Sequence, residues 1–188
     1  MRKYFYRELF SKEVFNLFEE YSKEYAEEIG NLEIDEHNLS IDIDKILNIM
    51  NIPVEETLLD YRSGEFDPNN LKILVNATES PERKRFTKAH ELGHSLLKDE
   101  GFSYRKDADV YDNKERKANK LAAEILMPKN LVAIAVDLYQ TRKNLTDQEL
   151  ERENPMTFTV ILSKYLNVSM SAMRYRLINL GVLVDEEH

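Results

Sequence analysis

The chain of 188 residues is 42% hydrophobic, and 35 acidic side chains against 26 lysines and arginines give it a net charge of −9. That length suits one compact domain with a sizeable core, and the acidic balance argues against direct binding to nucleic acid. The chain has no cysteine, which excludes disulfides, thiol nucleophiles and cysteine-ligated zinc. Residues 1–15 lack a secretory signal and no apolar run approaches the ~20 residues of a membrane span, so we expect a cytoplasmic protein that contacts no membrane.

The first third of the chain predicts helices followed by a small sheet. Apolar residues at helical spacing predict one helix over residues 7–29 and a shorter one over residues 42–50. Turn residues then alternate with short β-like pieces up to residue 76, which predicts about three strands with antiparallel pairing. The last piece, residues 73–76, is a candidate edge strand for binding an extended peptide, although a purely structural strand fits equally well.

The rest of the chain is predicted to be helical. Ser80 and Pro81 favour the start of a helix, and Thr146 with Glu149 forms a capping box that favours a short exposed one. Apolar periodicity predicts five longer helices, at residues 81–98, 113–126, 131–139, 158–166 and 170–180. The fold class is therefore expected to be α+β, with a mostly helical domain, a small sheet of about three strands and C-terminal helices.

The clearest chemical signal is the H-E-x-x-H motif from His90 to His94, inside the helix predicted at residues 81–98. Residues four apart lie on one face of a helix, so His90 and His94 can offer two imidazole nitrogens to one metal ion. Glu91 lies about 100° further round the helix and can reach a water molecule without ligating the metal. We expect Glu91 to accept a proton from that water and pass it to a leaving amine.

A site of this type needs a third protein ligand, and a second helix should supply it. Glu115 lies near the start of the next predicted helix, and Glu124 competes with it from nine residues further on. The two face in different directions and cannot both reach one metal. Glu115 is favoured because Asn119, its i+4 neighbour, can hydrogen-bond a ligand, and two histidines with a glutamate favour Zn²⁺. Three tyrosines are unranked candidates to assist the oxyanion: Tyr61, Tyr104 and Tyr111.

Three segments together resemble the ImmA/IrrE family of metallo-endopeptidases: RFTKAHELGHSLL, ERKANKLAAEILMP and VSMSAMRYRLINLGVL. The resemblance covers residues 41–183 and implies a zincin-like domain in which Glu115, the glutamate of E-x-x-A-N, is the third zinc ligand. It also implies a bacterial protein of phages or mobile elements whose substrate is a helix-turn-helix repressor. We therefore expect an N-terminal helix packed on the main domain (1–40), a peptidase core (41–130) and a C-terminal helical part for substrate recognition (131–188), within one compact domain overall.

Three functions are compatible with the sequence. The first is a zinc-dependent endopeptidase that cleaves a helix-turn-helix repressor and so relieves repression. The second is a metal-binding anti-repressor that acts by binding without cleavage. The third is a DNA-binding regulator that uses the last two helices, where Arg174 and Arg176 lie. The presence of His90, Glu91, His94 and a plausible third ligand favours the first.

Overall fold

The computed structural model describes residues 2–67, 69–98 and 108–184. The helices are α1 (Tyr6–Leu9), α2 (Lys12–Tyr21), α3 (Lys23–Gly30), α4 (Ile43–Ile49), α5 (Pro81–Leu96), α6 (Ala108–Leu126), α7 (Lys129–Lys143), α8 (Asp147–Leu150), α9 (Pro155–Leu166) and α10 (Met170–Asn179). The strands are β1 (Lys3–Phe5), β2 (Glu33–Asp35), β3 (Val54–Thr57), β4 (Gly64–Asp67) and β5 (Lys72–Asn76). The prediction of a mostly helical α+β fold with a three-stranded sheet and C-terminal helices is confirmed.

The three-stranded sheet differs from its prediction in strand order and direction. Its order is β3-β5-β4, with β5 parallel to β3 and antiparallel to β4. The prediction that residues 73–76 form an edge strand is wrong, because β5 is hydrogen-bonded on both sides and buries Ile73 and Val75. Within the described residues, the edge nearer to α5 is β4, which packs against that helix.

The N-terminal part is also built differently from the single helix predicted over residues 7–29. It contains three helices, and their breaks coincide with Ser11 and Ser22, whose side chains accept hydrogen bonds from the backbone N–H groups of Val14 and Tyr25. A serine that caps a helix start competes with continuation of the preceding helix. Strand β1 precedes these helices in the chain and β2 follows them, and the two strands pair with each other as an antiparallel sheet. The apolar periodicity did not predict this two-stranded sheet.

Helix α5 joins the three-stranded sheet to the neighbouring helices. It contacts α6, β4, β5, α4 and α2, and its first turn is capped as predicted, with the Ser80 side chain accepting from the Arg83 N–H. The half-buried side chain of Arg85 donates to the carbonyls of Ile41 at 2.6 Å and Asn167 at 3.0 Å. These bonds fix α5 against the segment before α4 and the end of α9.

Helices α9 and α10 form the predicted helix–turn–helix pair, joined at Asn167 in the left-handed conformation. Arg176, one of the two arginines considered for DNA binding, is buried and donates to the Met127 carbonyl at 2.9 Å. It therefore holds α10 against the end of α6 and does not face solvent, whereas Arg174 is exposed. In the described parts of the chain, every helix is too short or too polar to span a lipid bilayer.

Candidate metal centre

His90, His94 and Glu115 meet at one point between α5 and α6. The Nε2 atoms of the two histidines are 3.1 Å apart, and each lies 3.3 Å from a different carboxylate oxygen of Glu115, Oε2 for His90 and Oε1 for His94. Among the described residues, these three form a group whose ligand atoms all lie within 4.8 Å of one another. The two-helix arrangement predicted from the motif spacing is therefore present in the fold.

The imidazole nitrogens and the Glu115 carboxylate are close enough together to share one metal ion. In a tetrahedral site with metal–ligand distances of about 2.0–2.1 Å, neighbouring ligand atoms lie about 3.3–3.4 Å apart. The two imidazole nitrogens are 3.1 Å apart, and each is 3.3 Å from its own carboxylate oxygen of Glu115. Three such residues would leave a fourth position for a water molecule or substrate oxygen, as in catalytic metal sites.

Asn119 fixes the orientation of His90. Its Oδ1 lies 3.0 Å from His90 Nδ1, and an amide oxygen can only accept, so the proton must sit on Nδ1. The lone pair of Nε2 is then directed at the metal position. Burial, His94 and the charge of Arg83 together lower the pKa of His90, partly opposed by Glu115 and Asn119. The neutral, ligating form of the imidazole is favoured.

Gly93 and Ala118 let the two helices approach closely enough to build this centre. A Cβ atom on Gly93 would lie 3.2 Å from the Ala118 carbonyl oxygen and 3.4 Å from its Cα. Any larger side chain at either position would push α6 away from α5, and Glu115 away from the histidines. Glycine inside a helix costs about 1 kcal/mol of stability relative to alanine. The close contact between α5 and α6 explains why Gly93 is nevertheless found there.

Glu91 is buried beside the three ligands, with 8% of its surface exposed. Burial, and then the charge of Glu115, raise the pKa of Glu91 to about 7, and a hydrogen bond from the Phe66 backbone acts in the opposite direction. Gly64 makes room for this contact, since a Cβ there would lie 2.2 Å from Thr87 Cγ2 and 3.4 Å from Glu91 Oε1. A carboxylate with a pKa near neutrality can both accept and release a proton.

The competing glutamate lies elsewhere. Glu124 is 3.9 Å from Lys120 on the same helix, and it is not part of the three-residue group. Burial lowers the pKa of Arg176, and the charge of Glu124 partly opposes that shift. Tyr61 is fully exposed on the β3–β4 connection. Tyr104 and the side chain of Tyr111 fall outside the part of the chain that the structure describes.

Sequence reasoning missed the contribution of β4. Gly64 and Phe66 approach Glu91 from a strand whose sequence, Gly-Glu-Phe-Asp, gave little sign of its place beside the motif. The available signal was the glycine itself, because glycine inside a strand often marks a close approach of another element.

The family is identified by a match between residues 44–178 and the IrrE N-terminal-like domain (Peptidase_M78). The chain belongs to this family. Two relatives are radiation response metalloproteases IrrE, from Deinococcus radiodurans (40% identical over 81 residues) and Deinococcus deserti (36% over 80 residues). These alignments cover 40% and 39% of this chain but only 25% and 28% of the two relatives.

A solved structure supports the fold. The chain resembles a Mycobacterium tuberculosis transcriptional regulator with a TM-score of 0.51 over 88% of this chain and 45% of that one. At 14% identity, the similarity concerns the fold alone. The chain is thus a mostly helical α+β member of a metallopeptidase family, with a His-His-Glu group placed to bind a metal.

Proposed function

We propose that this protein is a zinc-dependent endopeptidase that cleaves a helix-turn-helix transcriptional repressor. The observation that carries the proposal is the convergence of His90, His94 and Glu115 within 3.1–3.3 Å contacts, with the buried carboxylate of Glu91 beside them. The family membership supports the reaction class, and the resemblance of its motifs to the ImmA/IrrE peptidases suggests the repressor.

In the proposed reaction, His90, His94 and Glu115 hold the zinc ion. A bound zinc ion would polarise the scissile carbonyl and make a water molecule more acidic. Glu91 accepts a proton from that water as its oxygen forms a bond to the carbonyl carbon. The carbon–nitrogen bond then breaks, and Glu91 returns the proton to the leaving nitrogen. The Phe66 backbone contact orients the Glu91 carboxylate, and Asn119 keeps His90 in its ligating tautomer.

The substrate would lie along the free edge of β4. The Ser63 carbonyl accepts from the Asn76 N–H at 2.8 Å, so backbone alternation directs the polar groups of Gly64 and Phe66 away from β5. The Phe66 N–H is taken by the Glu91 carboxylate, so a peptide would pair with the backbone groups of Gly64 and the Phe66 carbonyl. A peptide in extended conformation can pair with such an edge, and this places it next to Glu91 and the three ligands. An extended peptide also fits the requirement that a protein substrate unfold locally before it is cut.

The test is to incubate the zinc-loaded protein with purified helix-turn-helix repressors from the same genome and to map any new termini by mass spectrometry. Wild type should cut one of these repressors, while Glu91→Gln should retain zinc and leave it intact. Variants His90→Ala and Glu115→Ala should lose both zinc and activity. A wild-type protein that binds zinc and a repressor but never cuts would refute the proposal in favour of the anti-repressor.

A further inference from the structure

The face of α5 that carries the two histidines also carries an arginine. Arg83 precedes His90 by seven residues, almost two full turns, so both side chains project from the same side of the helix. The position lies about 10.5 Å from His90 along the helix axis, at about 1.5 Å per residue. Its charge is close enough to His90 to influence that imidazole.

Arg83 is held in place but is not paired with a carboxylate. Its Nε and Nη2 atoms donate to the Ser63 hydroxyl oxygen at 3.3 and 3.2 Å, and that hydroxyl donates to Glu79 at 2.8 Å. No described carboxylate forms an ion pair with its guanidinium, whereas the neighbouring Lys84 and Lys88 pair with acidic residues at 2.6 and 2.7 Å. The guanidinium has five N–H donors, so several remain for another acceptor.

The relative direction of β4 and α5 fixes which part of a bound peptide Arg83 would meet. Ser63 contacts Arg83, and the next residues of the strand approach Glu91, so β4 runs in the same direction as α5. A peptide that pairs antiparallel with β4, the more stable pairing, runs the opposite way. Its C-terminal part therefore lies near Ser63 and Arg83. At about 3.3 Å per residue, the separation of about 10.5 Å between the positions of Arg83 and His90 corresponds to about three residues of an extended peptide.

We propose that Arg83 determines substrate specificity by binding an acidic side chain about three residues C-terminal to the cleaved bond. This inference rests on the proposed peptidase function. Ser63 orients the guanidinium toward the peptide, and the ion pair forms at the exposed side chain of Arg83. A preference of about three- to tenfold for Asp or Glu over Asn or Gln is expected for a pair of this kind.

The test uses a defined mixture of synthetic peptides in which every pair of neighbouring residues is represented. Each zinc-loaded protein is incubated with the mixture, and cleaved bonds are read by mass spectrometry. Wild type should show enrichment of Asp and Glu at about the third position after the cut. Arg83→Gln should lose this enrichment, and Arg83→Glu should replace it with Lys and Arg. Lys23→Glu, which makes the same charge change at an exposed residue of α3, should keep the wild-type profile.

A binding measurement separates recognition from turnover. Zinc-loaded Glu91→Gln should bind a cleaved sequence about three- to tenfold more tightly than its Asp→Asn counterpart, and adding Arg83→Gln should remove the difference. If wild type cuts peptides but Arg83→Glu shows the same profile, the role of Arg83 is refuted and the peptidase function stands. If wild type cuts none, or Glu91→Gln cuts equally well, the peptidase function itself is refuted and the role of Arg83 with it.

Discussion

The buried carboxylate of Glu91 should make the metal-free protein less stable as the pH rises. Burial raises the pKa of Glu91 from 4.5 to about 7, so the folded chain retains a proton that the unfolded chain releases. Because the folded-state pKa is the higher one, the stabilisation is complete below the unfolded pKa and is lost as the pH rises through the folded-state value. The difference between the two pKa values corresponds to about 3 kcal/mol of unfolding free energy.

Glu91→Gln removes the titration and keeps the size of the side chain. Urea unfolding of both proteins, with a chelator present, gives the free energy of unfolding at about pH 5.5 and about pH 8. Over this interval, wild type should lose about 2 kcal/mol relative to the variant, since about 1 kcal/mol is already lost at the lower pH. Equal m-values would show that the difference comes from the native state.

A parallel pH dependence in the two proteins would refute the reasoning. It would mean that Glu91 ionises in the folded protein as easily as in the unfolded one, and that burial beside Glu115 carries no electrostatic cost. Such a result would also weaken the proposal that Glu91 exchanges protons near neutral pH.

Three further predictions concern the centre. Glu115→Ala should abolish stoichiometric zinc binding while Glu124→Ala retains it, as measured by metal analysis after dialysis; the opposite result would reassign the third ligand. Asn119→Ala should weaken zinc binding about 10- to 100-fold in competition with a chelator, because His90 loses its orienting partner; unchanged affinity would count against that role. Gly93→Val should lower the unfolding free energy of the metal-free protein by about 1–3 kcal/mol in urea, because its methyl groups meet the Ala118 backbone. An unchanged midpoint would show that the helices tolerate a larger separation.

The residues of the candidate site were predictable because their arrangement is mostly local. His90 and His94 are placed by the period of one helix, and Asn119 lies one turn after Glu115 on another. Only the packing of α6 on α5 had to be supplied by the fold, and Gly93 with the alanine-rich face of α6 indicated it. The spacing of 3.1–3.3 Å between ligand atoms, in contrast, depends on side-chain positions that no sequence pattern specifies.

The errors lie where local preference and tertiary pairing disagree. Periodicity across residues 7–29 is continuous, yet Ser11 and Ser22 cap new helices there. The apolar sequence of β5 predicts a strand. It does not indicate whether the strand has a neighbour on one side or on both sides. Its burial at Ile73 and Val75 suits a central strand, whereas the more polar β4 suits an edge.

The strand beside the site at the edge of the sheet is β4, whereas the prediction was β5. This difference changes how the sheet contributes to the site. A central β5, bonded to β3 and β4, gives β4 a rigid support. Strand β4 then brings the Phe66 backbone to Glu91 and Ser63 to Arg83. In the proposed function, this strand would therefore orient the base, pair with the peptide and align the cation that selects it. Because Gly64 lies between these contacts, a side chain there would disturb the base and the peptide-binding edge together, which explains why the strand has a glycine at this point.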